Sequence, residues 1–430
     1  MNRRLLYRGA VVVAALAPLT LGAGCGGSVK GESTSSAPAV SAAASGSSEA
    51  AATGDDLLLG ASLSMTGPLG DFGRDLQIGY QHRLDEINAA GGLKVGGTTR
   101  KLTMKVLDNR SDPNIGSQQI RELVLKDKAV ALLGACTPAI IVPQAQVADQ
   151  QKVPYTSSCN PVRAFQAGNT SGWKYAWDIS FDEADQATGV AKLLAETGST
   201  TNKKVVLFED TDPDGVAQRP LNLAAMKAAG LDVVGDYTFP VGTTDFSSFI
   251  NDAKSKGAQL LYAVMIPPDG IALWKQMKSL SFSPPVAFAA KASAALSWTK
   301  ALGPVAEGTL GGAFWSPAAG KANSQDLHTA LSLKFPNNLG DEQIAVLGYT
   351  VAAIVTDAIK SAGSTDADAL NTAIGHTSGD YPLGTVKFDA TTHTSTTPFL
   401  AVQWQNGQQV QILPADPSVK TQFPAKGLQP

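Results

Sequence analysis

Short apolar runs alternate with longer amphipathic segments along most of this chain, and the pattern starts twice. The first series opens with a predicted strand at residues 57–64 and a helix at 72–90, and it ends with a strand at 153–156. The second series runs from a strand at 204–208 to one at 286–289. Such alternation is typical of a parallel sheet with helices on both faces. Two series in a chain of 430 residues predict two α/β lobes.

Composition and charge exclude several classes of function. Hydrophobic residues make up 43% of the chain and charged residues 17%, as in soluble globular proteins. A net charge of −3 gives no attraction for phosphates, so nucleic acid is not an expected partner. The sequence has no G-x-S-x-G, H-E-x-x-H or C-x-x-C motif, and its four histidines are far apart. We therefore expect no catalytic residues, no metal site and no cofactor.

The N-terminal segment predicts export. Three arginines within the first eight residues precede an apolar run at residues 10–21, which is too short to span a bilayer. Small residues and then Cys25 follow, so residues 1–25 have the form of a secretory signal and resemble that of a lipoprotein. We expect Cys25 to be lipidated and to anchor the protein to the cell membrane; the alternative is cleavage to a soluble secreted protein. Residues 26–56, rich in Ser, Ala and Gly, are expected to form a disordered tether.

Two further cysteines and the ends of the predicted strands locate a candidate site. In an oxidising compartment Cys136 and Cys159 are expected to form one disulfide, the alternative being two free buried thiols. Ligands of open α/β sheets bind at the carboxyl ends of the strands. This rule selects first-lobe loops at residues 64–72, 135–137 and 157–160, and second-lobe loops at 209–214, 265–269 and 290–293. The disulfide would hold two first-lobe loops together.

Three features within these loops each have two interpretations. Thr137-Pro138 has the chemistry of a helix start, which either caps an ordinary helix or presents N–H groups to a carboxylate. Phe72 either packs inside the lobe or forms an aromatic wall over a ligand. The acidic residues from Glu209 to Asp214 lack the calcium-loop pattern. We expect them to form a solvated turn or ligand contacts rather than a cation site.

Four motifs carry a resemblance to a known family: Gly60-Ala-Ser-Leu-Ser-Met-Thr-Gly-Pro68, Asp85-Glu-Ile-Asn-Ala-Ala-Gly-Gly92, Leu107-Asp-Asn-Arg-Ser-Asp-Pro113 and Leu347-Gly-Tyr349. Together they resemble the branched-chain amino-acid-binding proteins, the leucine/isoleucine/valine-binding type, over residues 57–413. The resemblance implies the type I periplasmic-binding fold: two Rossmann-like lobes with parallel-rich sheets, joined by three crossovers. It also implies that the lobes close over a small ligand and deliver it to a membrane permease.

The same resemblance assigns roles to residues of the first lobe. The loops that match Thr137, Ser157, Ser158 and Cys159 would hold a ligand carboxylate, with the ring of Phe72 nearby. The cysteine pair matches the family disulfide in position.

In the second lobe the resemblance implies ligand contacts near Asp214 and Ile266. The family's amino-acid binders hold the ligand ammonium with a glutamate, and Lys291 occupies that position here. A lysine cannot accept a hydrogen bond from an ammonium and repels it. Among amino acids, their analogues and organic acids, we therefore expect a carboxylate-bearing or neutral ligand rather than a simple α-amino acid.

The interpretation that follows is an extracytoplasmic solute-binding receptor that serves the permease subunits of an ABC importer. We expect the first lobe to comprise residues 57–178 and 313–379, and the second 179–312 and 380–418, with crossings near Ile179, Gly312 and Gly379. The alternatives are a ligand-sensing domain that acts through a signalling partner and, third, a secreted enzyme.

Overall fold

A computed structural model describes residues 54–335, 339–415 and 418–430. The predicted signal, its Cys25 and nearly all of the predicted tether therefore lie outside the described residues. The remainder folds into an α/β structure built on two large sheets.

The first sheet has six strands, which are parallel at every pairing. In spatial order they are β15 (Thr394–Thr397), β7 (Ala176–Phe181), β6 (Tyr155–Ser158), β5 (Ala131–Leu133), β1 (Leu57–Leu63) and β4 (Leu102–Asp108). The register places Leu57 opposite Leu102. Because all strands point the same way, their carboxyl ends share one edge of the sheet.

The second sheet has seven strands. In spatial order they are β17 (Gln408–Leu413), β16 (Leu400–Gln405), β12 (Leu310–Ala313), β11 (Val286–Ala289), β10 (Leu260–Val264), β8 (Lys204–Asp210) and β9 (Asp232–Phe239). Strands β8 to β12 are parallel, and β16 and β17 are antiparallel to their neighbours. Two small ribbons complete the sheets: β2 (Leu93–Val95) with β3 (Thr98–Arg100), and β13 (Ser378–Tyr381) with β14 (Gly384–Lys387).

Helices follow most strands of both sheets. They are α1 (Gly70–Ala89), α2 (Pro113–Leu125), α3 (Pro138–Gln151), α4 (Val162–Ala167), α5 (Glu183–Thr197), α6 (Pro213–Ala228), α7 (Ser247–Ser255), α8 (Pro267–Ser279), α9 (Ser297–Leu302), α10 (Ser324–Ser332), α11 (Leu339–Ala362) and α12 (Ala367–Gly375), with 3₁₀ turns at Gly303–Ala306 and Lys426–Leu428. Capping side chains fix where some of these helices begin. At the start of α2, the side chain of Asp112 accepts hydrogen bonds from the N–H groups of Asn114 and Ile115.

The core lies on both faces of the sheets. Along β10, Leu261 and Ala263 face one apolar cluster, whereas Leu260, Tyr262 and Val264 face another. A strand with two buried faces has the continuous apolar sequence seen here. The predicted α/β class with parallel-rich sheets is confirmed.

The longest helix, α11, packs against α1 in the core of the first sheet. The segment from Gly340 to Ala362 is long and apolar enough to cross a membrane, but 83% of its most apolar stretch is buried inside the protein. The two helices approach closely at Gly79, where an added Cβ would lie 1.8 Å from the backbone oxygen of Ala345. This helix therefore belongs to the core of the fold.

The chain passes between the two sheets three times. It leaves the first sheet after Phe181 and the second after Ala313, close to the positions expected near Ile179 and Gly312. The third passage lies between Thr397 and Leu400, so the expected position near Gly379 is wrong. The reason is β15, which pairs in parallel with β7 and keeps residues 380–397 with the first sheet.

Candidate functional site

The carboxyl ends of strands from both sheets meet around one cavity. Its lining is mostly apolar and draws on the loops after β1, β5, β6, β8 and β11 and on all three passages between the sheets. The lining residues are Phe72, Cys136, Thr137, Pro138, Cys159, Pro161, Phe181, Gln186, Asp214, Gln218, Val264, Ala290, Lys291, Ala294, Gly312, Ala313, Phe314, Thr397 and Phe399. Of the sequence-predicted site residues, this cavity brings together Phe72, Thr137, Cys159, Asp214 and Lys291.

A disulfide joins the loops after β5 and β6 on the first-sheet side of the cavity. Cys136 and Cys159 are bonded, with their Cα atoms 5.1 Å apart, which confirms the predicted pairing. The backbone N–H of Thr137 donates to the oxygen of Cys159 at 3.3 Å. Thr137 and Cys159 both have positive φ, 73° and 69°, which non-glycine residues rarely adopt. Strain of this kind clusters at ligand sites, and here it lies on the two loops that the disulfide joins.

The side chain of Thr137 does not cap the helix that it precedes. Helix α3 begins at Pro138 as expected, but the Thr137 hydroxyl makes no capping hydrogen bond. Its Oγ1 is buried, 2% of the residue is exposed, and the described chain supplies it with no partner. Thr137 therefore brings a buried hydroxyl without a partner in the described chain to the lining of the cavity, at the N-terminus of a 14-residue helix.

Four phenyl rings line the cavity: Phe72, Phe181, Phe314 and Phe399. Phe72 is 3% exposed and belongs to the first-sheet core, so its packing inside the lobe is confirmed, whereas its role as a wall over a ligand stays a prediction. The other three rings lie at the three passages between the sheets, at the end of β7, after β12 and before β16. The centroids of the Phe181 and Phe314 rings are 5.8 Å apart.

Three predicted site residues lie outside the cavity lining. The Ser157 hydroxyl donates to Oδ1 of Asp178 at 2.7 Å, and burial holds the pKa of Asp178 well above its usual range. Ser158 is buried, and its hydroxyl has no partner in the described chain. The backbone N–H of Ile266 donates to Oδ2 of Asp210 at 3.0 Å. Ser157 and the Ile266 amide are thus occupied by internal hydrogen bonds.

Lys291 reaches the cavity within a cluster of carboxylates. Its Nζ lies 2.7 Å from Oδ2 of Asp212 and 3.3 Å from Oδ2 of Asp214, and 12% of its side chain is exposed. Burial alone would lower the pKa of Lys291, but attraction to Asp212, Asp214 and Asp210 raises it above its usual range. Burial raises the pKa of Asp210 to about 6, although Lys291 opposes this shift.

This cluster changes what Lys291 contributes. The charge of the lysine is balanced by two carboxylates, so the side chain is not a free cation that faces the ligand. The expectation that Lys291 repels a ligand ammonium loses its basis, because the cluster as a whole is not positive. The acidic residues after β8 are also more than a solvated turn, since they hold this lysine.

Two glutamines of the site were missed. Gln186 lies on α5 and Gln218 on α6; both line the cavity, and in both the buried Oε1 has no partner in the described chain. Gln218 follows Asp214 by four residues on one helix, a spacing that places both on the same face. That spacing is the one signal in the sequence that could have indicated Gln218.

The fold and the cavity together define a two-lobed solute-binding protein. The family model described as periplasmic binding protein matches residues 57–409, and the chain belongs to that family. The protein is accordingly a binding protein and not an enzyme. The predicted resemblance to branched-chain amino-acid-binding proteins is confirmed by its similarity to Leu/Ile/Val-binding proteins. Among the described residues, no group of three or more His, Cys, Asp or Glu side chains is arranged to hold a metal ion.

Three similar proteins illustrate the relationship. A Leu/Ile/Val-binding protein homolog of Brucella melitensis is 25% identical over 359 residues, which cover 82% of this chain and 92% of that protein. The structure of a leucine-binding protein, LivK, from Thermotoga maritima superposes with a TM-score of 0.73 at 22% identity, covering 83% and 97% of the two chains. That of LivJ from Streptococcus pneumoniae, a branched-chain amino acid transporter substrate-binding protein in complex with isoleucine, gives 0.71 at 20%, covering 83% and 99%.

Proposed function

We propose that the protein captures a small carboxylate-bearing or amino-acid-like solute between its lobes, outside the cytoplasm, and delivers it to the permease subunits of an ABC importer. One observation carries the proposal: the Thr137 hydroxyl, at the N-terminus of α3, is buried and has no hydrogen-bond partner among the described residues. A helix N-terminus attracts anions, because its N–H groups are unpaired and its dipole is positive there. A ligand carboxylate would satisfy the hydroxyl and the dipole together.

The rest of the cavity matches an amphipathic solute. The rings of Phe72, Phe181, Phe314 and Phe399 offer an apolar surface for the body of the ligand. Leucine, isoleucine and valine, for which the relative in Brucella melitensis is named, are solutes of this kind. LivJ is described as the substrate-binding protein of a branched-chain amino acid transporter. This similarity supports delivery to an importer.

Closure over the ligand follows from where the rings lie. We assign residues 57–181 and 314–397 to the first lobe, and 183–313 and 400–413 to the second. Each of the three passages between these lobes then carries one of the rings Phe181, Phe314 and Phe399. The rest of the lining comes from both lobes, so a ligand in the cavity contacts both lobes at once only in the closed form, and its binding would favour that form.

The test is to identify the bound solute. Protein purified under native conditions is denatured, and the released small molecules are identified by mass spectrometry. We expect one carboxylate-bearing solute, which on return to the refolded protein raises the melting temperature with increasing concentration and compacts the scattering profile. The proposal fails if no solute is released and no carboxylic or amino acid in a library shifts the melting temperature.

We also propose that Cys25 is lipidated and holds the protein at the outer face of the cell membrane. A Cys25→Ala variant is then expected in the soluble extracytoplasmic fraction with an unchanged melting temperature, because the anchor lies outside the two-sheet fold of residues 54–430. Equal membrane partitioning of the variant and the wild type in detergent extraction would contradict lipidation.

A further inference from the structure

Glu183 bridges the two lobes at the first passage between the sheets. It is the first residue of α5 and follows Phe181, the last residue of β7, by two positions. Its carboxylate contacts the first lobe: Oε2 accepts a hydrogen bond from the N–H of Arg163 at 2.9 Å, and Oε1 accepts one from the N–H of Ala164 at 2.7 Å. Both N–H groups belong to the first turn of α4, which follows Pro161, a residue without a capping side chain. A carboxylate of the second lobe therefore caps a helix of the first.

The surroundings of the Glu183 carboxylate come from both lobes. The residue is completely buried, and α4 packs against α6 of the second lobe. Asp214 on α6 disfavours a negative charge on Glu183, and the charge of Glu183 in turn disfavours one on Asp178 of β7. Arg163 on α4 attracts Glu183, but its Nε lies 2.9 Å from the carboxylate of Asp182 and is paired there. No cation is therefore dedicated to Glu183 among the charged groups that face it in the described chain.

The protonation of Glu183 depends on whether the lobes are together. Burial raises the pKa of Glu183 from 4.5 to about 7, although the two N–H groups oppose this shift. If α4 and α6 separate, water reaches the carboxyl group and its pKa returns toward the ordinary value. Because the pKa is higher when the lobes are together, protonation favours closure. This contribution to closure is complete below about pH 4.5 and is lost as the pH rises through about 7.

We propose that Glu183 is a protonation-sensitive bridge that couples closure of the lobes to the uptake of a proton, so that solute is held more tightly in an acidic medium than in an alkaline one. This coupling rests on the proposed function, in which the lobes close over a solute. It acts on the closure of the lobes and not on ligand recognition, since Glu183 does not line the cavity. Linkage is reciprocal: protons strengthen solute binding, and solute binding takes up protons.

The test is calorimetric titration of ligand-free protein with the solute that denaturation releases from it. Titrations in two buffers with different enthalpies of ionisation give the number of protons taken up per site. For the wild type we expect roughly half a proton or more at pH 6, and about tenfold tighter binding at pH 5.5 than at pH 8. Glu183→Gln keeps the size of the side chain and cannot ionise. Its uptake should be lower by roughly half a proton or more, and its ratio of affinities should fall to about threefold or less.

Glu209→Gln is the matched control. Burial raises the pKa of Glu209 to about 7 as well, but its Oε1 accepts a hydrogen bond at 2.7 Å from Nδ2 of Asn222, within the second lobe. Separation of the lobes leaves that contact intact, so Glu209→Gln should keep the proton uptake of the wild type. Asp210, whose pKa burial raises to about 6, is present in all three proteins, so its contribution cancels in the comparison.

The outcomes distinguish the bridge from solute capture. Equal pH dependence of the wild type and Glu183→Gln would overturn the bridge and leave capture intact, and so would equal losses in Glu183→Gln and Glu209→Gln. A wild type that takes up no proton at pH 6 has the same meaning, whether or not Glu183→Gln folds.

If no solute binds, the proposed capture itself fails, and small-angle scattering of the ligand-free proteins decides about Glu183. A wild-type radius that is smaller at pH 5.5 than at pH 8, without such a change in Glu183→Gln, supports the bridge. A wild-type radius that does not depend on pH overturns it.

Discussion

Replacing Lys291 with methionine is expected to destabilise the protein strongly. The lysine Nζ contacts two carboxylates, and the side chains of Asp212 and Asp214 are each only 5% exposed. Without the cation these acids remain buried next to each other and next to Asp210. Removing one partner of a buried ion pair leaves an uncompensated charge, which typically costs about 3–5 kcal/mol. We expect Lys291→Met to lower the free energy of unfolding by that amount at pH 7.5.

The assay is urea unfolding followed by circular dichroism, with an exposed pair as the matched control. Lys256 Nζ lies 2.6 Å from Oδ2 of Asp252, but these side chains are 42% and 43% exposed. Exposed pairs contribute about 0–1 kcal/mol, so Lys256→Met should change little. Adding Asp212→Asn to Lys291→Met should recover part of the loss, because it removes one of the unpaired charges.

The destabilisation caused by Lys291→Met should depend on pH in a defined direction. Removing Lys291 should raise the pKa of Asp210 beyond about 6, because the lysine is the cation that opposes the effect of burial. The carboxylates of the variant would then accept protons as the pH falls. The difference in free energy of unfolding between the wild type and Lys291→Met should therefore be smaller at pH 5.5 than at pH 7.5. A Lys291→Met protein within about 1 kcal/mol of the wild type at pH 7.5 would refute the account of this cluster.

Three further changes test the fold. Replacing both Cys136 and Cys159 with serine should lower the free energy of unfolding by about 3 kcal/mol in denaturant titrations, because the bond closes a loop with a sequence separation of 23; no change relative to the oxidised wild type would contradict this. Gly79→Ala should lower the melting temperature by several degrees, since its Cβ would lie 1.8 Å from the oxygen of Ala345; an unchanged value in calorimetry would show that the two helices separate freely. Burial raises the pKa of Glu209 from 4.5 to about 7, so the stability that its neutral form contributes is complete below about pH 4.5 and lost as the pH rises through 7. Relative to Glu209→Gln, the wild type should therefore lose on the order of 1–3 kcal/mol between pH 5 and 8, and parallel unfolding curves would count against it.

Most of the fold could be predicted because its strands are buried on both faces and therefore appear as apolar runs. Strand β10 is buried at every residue, and its sequence Leu-Leu-Tyr-Ala-Val is such an apolar run. Strand β15, Thr-Ser-Thr-Thr, has no such signal, and it becomes a strand only by pairing with β7. Because this strand was not predicted, the third passage between the sheets was expected near Gly379, whereas it lies between Thr397 and Leu400. A strand set by tertiary pairing leaves little trace in local sequence.

The candidate site likewise has residues that could be predicted from local sequence and residues that depend on tertiary packing. The rule of strand ends located Thr137, Cys159 and the loop of Lys291 from sequence alone. It could not show that Lys291 is paired, since Asp212 lies 79 residues earlier in the chain. Gln218 and Gln186 lie within helices rather than at strand ends, and which helix face meets the cavity depends on how the helix packs. Long-range packing therefore decided the parts of the site that the sequence left open.

The proposed function requires that a solute binds between the lobes with its carboxylate at Thr137. The most direct measurement is calorimetric titration of ligand-free protein with the solute released from it, for the wild type, Thr137→Val and Thr350→Val. Thr350 is the matched control, because it is a buried threonine whose hydroxyl also lacks a partner in the described chain but which does not line the cavity. We predict one site per protein, unchanged by Thr350→Val and weakened about tenfold or more by Thr137→Val. Equal affinities for all three proteins would show that the solute is held elsewhere.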